Sequence, residues 1–78
     1  MNDIKFDQEL DCRGLGCPLP VLKTKKAVAG MSTGQVLKMV CTDAGSNKDM
    51  PSWSDRTGNP ILKAEEAGGE FIFYIQVK

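Results

Sequence analysis

The sequence contains no histidine at all. Any site that relies on imidazole as base, acid or metal ligand is therefore excluded. It also lacks net charge, with 10 basic residues against 10 acidic ones. A protein held to nucleic acid by bulk charge usually carries a strong basic excess, so direct nucleic-acid binding is not expected. Cysteine is scarce: three residues, an odd number and too few for a disulfide scaffold. That usage predicts a reducing, cytoplasmic setting. No apolar run approaches the roughly 18–20 residues of a membrane span, and the polar start Met1-Asn2-Asp3 does not read as a signal peptide. What remains is ordinary for a soluble globular chain: 78 residues, 41% hydrophobic and 26% charged, enough for a single domain over 1–78. Chemistry, where there is any, falls to thiol, carboxylate, amine or guanidinium.

No internal repeat, low-complexity tract or linker interrupts the chain. Phe6 to Cys12 alternates, with Phe6, Gln8, Leu10 and Cys12 on one face and Asp7, Glu9 and Asp11 on the other. It reads as a short strand near an edge. After the glycine-broken turn Arg13-Gly14-Leu15-Gly16, Pro18 to Met31 reads as a helix with Pro18, Val21, Leu22, Val28 and Ala29 facing the core. Lys23 and Lys26 fall on its solvent side, and Gly30 and Gly34 help close it. Gln35 to Thr42 is a second strand, with Leu37, Met39 and Cys41 on one face and Val36, Lys38 and Val40 on the other. Strand, helix, strand predicts a parallel pair. Ser46-Asn47-Lys48-Asp49 fits a capping box, which places a second helix over Asp49 to Thr57 with Met50 and Trp53 inward and Pro51 in the first turn. Gly58-Asn59-Pro60 ends it. Two further strands, Pro60 to Glu66 and Glu70 to Val77, are joined by the glycine hairpin Ala67-Gly68-Gly69.

The order βαβαββ predicts an α+β fold: a two-layer α/β sandwich with a four-stranded mixed sheet and two helices on one face. Phe71, Phe73, Ile75 and Val77 should face the helices. Ile72, Tyr74 and Gln76 should lie on the other face with Val36 and Val40, leaving a candidate contact surface.

The chemistry concentrates in Asp11-Cys12-Arg13-Gly14-Leu15-Gly16-Cys17-Pro18-Leu19-Pro20. Cys17 is expected at the N-cap, with Pro18 at N1 and Pro20 at N3, where missing amides lose no helical hydrogen bond. The Leu19 amide, at N2, is then free to point at the cysteine sulfur, and the helix end adds positive potential. Such a site favours the thiolate. Arg13 and lysines of the helix add to that potential, and Gly14 and Gly16 keep the approach open. A preformed thiolate needs no general base, so thiol exchange or sulfur transfer suits a chain without histidine.

Gly14-Leu15-Gly16-Cys17-Pro18-Leu19-Pro20 resembles the Cys-Pro-x-Pro signature of the TusA/SirA-like sulfur carrier family. The resemblance runs from Leu10-Asp11 through Asp43 and Asp49-Met50-Pro51 to the final hairpin. It implies the same βαβαββ fold, and for Cys17 it implies a persulfide accepted from a donor protein and passed to another. The donor would be a cysteine desulfurase or a rhodanese, followed by a downstream sulfur acceptor protein. No cofactor, no membrane association and a monomeric chain are expected.

Other readings stay open beside it. Cys12 is either a resolving thiol for Cys17 or an inward-facing residue at a strand end, and a thiol-redox protein using both is an alternative function. Cys41 shares a face with Leu37 and Met39 and reads as core. Zinc is not expected from three cysteines that lack paired spacing and a fourth ligand. Asp43, at the end of the second strand, either tunes the thiolate, contacts partners or caps a turn. Lys23, Lys25 and Lys26 are a solvated face or a contact for an acidic partner. A non-catalytic interaction module using the open sheet face is the third function class. Within the resembling family the pathway, whether tRNA thiolation, cofactor sulfuration or oxidation of reduced sulfur compounds, is not encoded in these motifs.

Overall fold

The period-two pattern of the second strand sets the sheet. In β2 (Val36–Cys41), Leu37, Met39 and Cys41 are fully buried on one face. Strand β1 (Gln8–Cys12) pairs parallel to it, so that Leu10 sits beside Met39 and Cys12 beside Cys41. Strand β4 (Glu70–Gln76) pairs antiparallel on the other side of β2, and β3 (Ile61–Ala67) closes the edge. The sheet order is β1-β2-β4-β3. Helices α1 (Leu19–Ala29) and α2 (Ser46–Thr57) cover one face, giving the expected two-layer α+β sandwich. These elements come from a computed structural model that describes residues 4–16 and 18–78.

The core gathers Cys12, Met39, Cys41, Phe71, Phe73 and Ile75 from the sheet with Met50 and Trp53 from α2, and Val21 and Val28 of α1 pack against it. The β3–β4 hairpin turns on Gly68 and Gly69, at φ of +58° and +81°. Two consecutive left-handed residues match the strand twist and favour glycine at both positions.

Both helices differ from expectation at their starts. The Leu22 amide donates to the Pro18 carbonyl at 3.1 Å, the first helical bond of α1, so Pro18 occupies the N-cap expected for Cys17. Leu19 and Pro20 therefore stand at N1 and N2, and Cys17 lies outside the described residues. The buried stripe of α1 is Pro20 and Thr24, flanked by Val21 and Val28. Pro18, Leu22 and Ala29, expected inside, are exposed. Leucines 19 and 22 cannot share a face with Val21 and Val28. Thr24 joins the buried side because its hydroxyl donates to the Pro20 carbonyl at 2.8 Å.

Helix α2 begins three residues earlier than expected. The Ser46 amide donates to the Asp43 carbonyl and the Asn47 amide to that of Ala44, both at 3.1 Å, which winds the chain before any side-chain cap is needed. Gly45 is the N-cap and Ser46 is buried as the first helical residue. Pro51 consequently sits inside the helix. Its missing amide would have bonded the carbonyl of exposed Asn47, which water can reach.

Phe6 precedes β1 rather than belonging to it. Its ring centroid lies 6.4 Å from that of Tyr74, and Lys38 Nζ stands 5.2 Å above it, so Phe6 packs on the face away from the helices. That face is less open than the strand pattern predicts. Val36, Val40 and Tyr74 retain at most 9% exposure. The Phe6–Lys38 pair and an Arg13–Glu70 ion pair at 2.6 Å bring its own side chains together there.

Candidate functional site

Four residues, 13–16, carry the chain from β1 to the Cys17 position, and every one is tied. The Arg13 amide donates to Asp11 Oδ1 at 3.0 Å, and Arg13 Nε donates to Glu70 Oε2 at 2.6 Å. The Gly14 amide donates to Thr42 Oγ1 at 2.9 Å. Leu15 donates through its amide to the Cys12 carbonyl at 3.3 Å and packs its side chain on the core. Gly16 accepts from the Leu19 amide at 2.9 Å. Gly14 adopts φ +77° with open space where a Cβ would stand, so glycine serves the backbone conformation there, not a close approach.

This geometry revises two expected contributions. The Leu19 amide already has a partner in the Gly16 carbonyl, so it is not held in reserve for a sulfur. The guanidinium of Arg13 is held between Glu70 and Asp11, the latter at 3.4 Å, and serves as a tie between strands. The hydrogen bond and charge of Glu70 push its pKa further above the ordinary value. Positive potential along α1 comes instead from Lys23, Lys25 and Lys26, on a helix with no acidic residue. Pro18, Leu19 and Gly16, which flank the cysteine position in sequence, are exposed, and Pro20 is buried beneath them. A cleft of about 190 Å³ opens beside Pro18 and Val21, with Asp49, Ser52 and Arg56 of α2 as its far wall.

Cys12 and Cys41 are free, fully buried and opposite one another across the β1–β2 pair. Burial is the main force pushing the Cys12 thiol pKa up, reinforced by Cys41 and Asp11 and opposed by Lys23. A protonated, enclosed thiol is a poor nucleophile. Asp43 lies at the exit of β2 and its carbonyl starts the turn into α2. Among the described residues, no group of His, Cys, Asp and Glu is placed to hold a metal ion, and no helix is long and apolar enough to cross a membrane.

Thr42 and Glu70 are the residues that sequence reading missed. Counting register would have indicated them: Cys12 pairs with Cys41 and Cys41 with Phe71, so the next residue on each chain brings Arg13, Thr42 and Glu70 to one sheet end.

Comparison with known proteins gives one consistent result. The family model described as "Sulfurtransferase TusA" matches residues 8–77. A sulfur carrier protein TusA of Allochromatium vinosum is 51% identical over 71 residues, covering 91% of this chain and 93% of that protein. A sulfur carrier protein TusA of Pseudomonas putida is 33% identical over 78 residues, covering 100% of this chain and 98% of its own. Among solved structures, a SirA-like protein of Desulfitobacterium hafniense superimposes with a TM-score of 0.79 at 24% identity, over 90% of this chain and 96% of that one. This last likeness concerns the fold.

Proposed function

The chain belongs to the TusA sulfurtransferase family, and from that premise we propose that Cys17 accepts sulfane sulfur as a persulfide and relays it to a partner protein. The Cys17 thiolate attacks the terminal sulfur of a donor persulfide. A new S–S bond forms on Cys17, the donor's S–S bond breaks, and the donor cysteine leaves as thiolate. An acceptor thiolate repeats the exchange in the opposite sense. Neither step changes the total oxidation state, and neither needs a cofactor or a base.

The observation that carries this reading is the enclosure of the other two thiols. Cys12 and Cys41 are both fully buried, and that burial pushes the Cys12 thiol pKa up. A resolving thiol at Cys12 would attack a Cys17 persulfide, form an internal disulfide and expel the sulfur as hydrogen sulfide. Burial of Cys12 opposes that loss, which favours a carrier over a dithiol redox protein.

Transfer of this kind needs docking. The outward side of α1 shows Leu19 and Leu22 at 45% and 51% exposure, with Lys23, Lys25 and Lys26 around them. An apolar patch ringed by lysines fits a partner with an acidic rim. The donor is a cysteine desulfurase or rhodanese, the acceptor a protein of tRNA thiolation, cofactor sulfuration or sulfur oxidation, in a reducing cytoplasm.

Intact mass after incubation with a cysteine desulfurase and cysteine tests the proposal. The wild type should gain one sulfur atom and Cys17→Ser none, with unchanged melting. A loss of two hydrogens instead would establish dithiol cycling, and uptake by Cys17→Ser would remove the mechanism.

A further inference from the structure

Of the ties on loop 13–16, two reach far along the chain. The Gly14 amide meets Thr42, 28 residues on, and Arg13 meets Glu70, 57 residues on. Three strands thus hold one four-residue loop: β1 leads into it, Thr42 follows β2, and Glu70 opens β4. All these groups are solvent-accessible, with Arg13 and Glu70 side chains 46% and 35% exposed. Exposed hydrogen bonds and ion pairs of this kind add little to folding stability. Their consistent effect is geometric. The left-handed backbone at Gly14 turns its amide onto the Thr42 hydroxyl, and the guanidinium pins the residue before it.

We propose that Thr42 and the Arg13–Glu70 pair are positioning residues for Cys17, fixing the path of loop 13–16 and so the line along which the thiol meets a protein-bound persulfide. This rests on the sulfur-carrier reading. Displacement at sulfur proceeds with the attacking, transferred and leaving sulfurs in line, so a loop free to swing spends fewer encounters in a reactive alignment. A small reagent that approaches from any side makes no such demand.

That contrast supplies the test. Thr42→Val, Thr42→Ser and Glu70→Ala are compared with wild type for sulfur loading from a cysteine desulfurase, with donor concentration varied, and for the pH dependence of Cys17 alkylation by iodoacetamide. Thr42→Val and Glu70→Ala should lower the maximal loading rate roughly three- to tenfold with KM little changed. Thr42→Ser, which keeps the acceptor oxygen, should restore it. The alkylation profile should not move, and melting should stay within about 2 °C of wild type. Loading at the wild-type maximal rate in Thr42→Val and Glu70→Ala overturns the inference, as does failure of Thr42→Ser to rescue or a loss that merely follows melting. A wild type that takes up no sulfur overturns the carrier reading and this inference with it; loading by wild type and variants alike overturns the inference alone.

Discussion

Replacing Cys12 distinguishes a core residue from a redox partner, and the structure sets the size of each effect. The side chain is fully buried among Met39, Cys41, Met50, Trp53, Phe71, Phe73 and Ile75. Cys12→Ala removes one sulfur and leaves a small cavity, a loss of about 1–2 kcal/mol. Cys12→Ser fills the same space but places a hydroxyl in an apolar cluster, adding about 1–3 kcal/mol of unmet polar burial. Each kcal/mol moves the melting point of a chain this size by about 4–8 °C, so the serine variant should melt clearly below the alanine variant. Circular dichroism melts measure this, and intact-mass loading on the same samples should show full sulfur uptake by Cys12→Ala. A pH arm adds a signed test. Burial raises the folded-state pKa of Cys12 above its ordinary 9.0, so the unfolded chain loses this proton first. The corresponding stability is complete below that value and is lost as pH rises through it toward the folded pKa. Wild type should therefore lose more stability than Cys12→Ala above about pH 9. A serine variant as stable as the alanine variant would refute the apolar enclosure. An alanine variant that melts normally but no longer loads sulfur would make Cys12 a participant.

Native iodoacetamide treatment, mapped by peptide mass, should label Cys17 first, with Cys12 and Cys41 reacting only after unfolding because both are fully buried; early labelling of either would displace the nucleophile assignment. Lys23→Glu, Lys25→Glu and Lys26→Glu combined should raise KM for an acidic-rimmed protein donor by about tenfold or more, and should also slow iodoacetamide alkylation by removing the positive potential along α1; equal KM would remove α1 as the docking face. Gly69→Val, at φ +81° in the hairpin, should destabilise by about 1–2 kcal/mol in chemical denaturation without changing sulfur uptake per folded molecule.

The sheet was legible because strand patterning is local. Leu37, Met39 and Cys41 alternate with Val36, Lys38 and Val40, and that period alone assigns the two faces. The glycine pair at the hairpin and Gly58 at the end of α2, in the left-handed region at φ +78°, are equally local signals. The Cys-Pro-x-Pro resemblance, from which the proposal for Cys17 starts, also rests on residues adjacent in sequence.

Tertiary structure decided what depends on partners distant in sequence. Thr24, not Leu22, faces the core of α1, because helix position and a satisfied hydroxyl outweigh hydrophobicity read one residue at a time. The start of α2 follows backbone bonds wound up from Asp43, which a capping signature at Ser46 cannot anticipate. Arg13 looked like local positive charge beside the cysteine, yet its guanidinium is committed to a carboxylate 57 residues away. An exposed charge acts mainly on what lies within a Debye length, roughly 8–10 Å, and strand register chooses those neighbours. Sequence therefore nominated Cys17 as the nucleophile proposed above, while the pairing of β1, β2 and β4 brought Thr42 and Glu70 to the loop leading toward it.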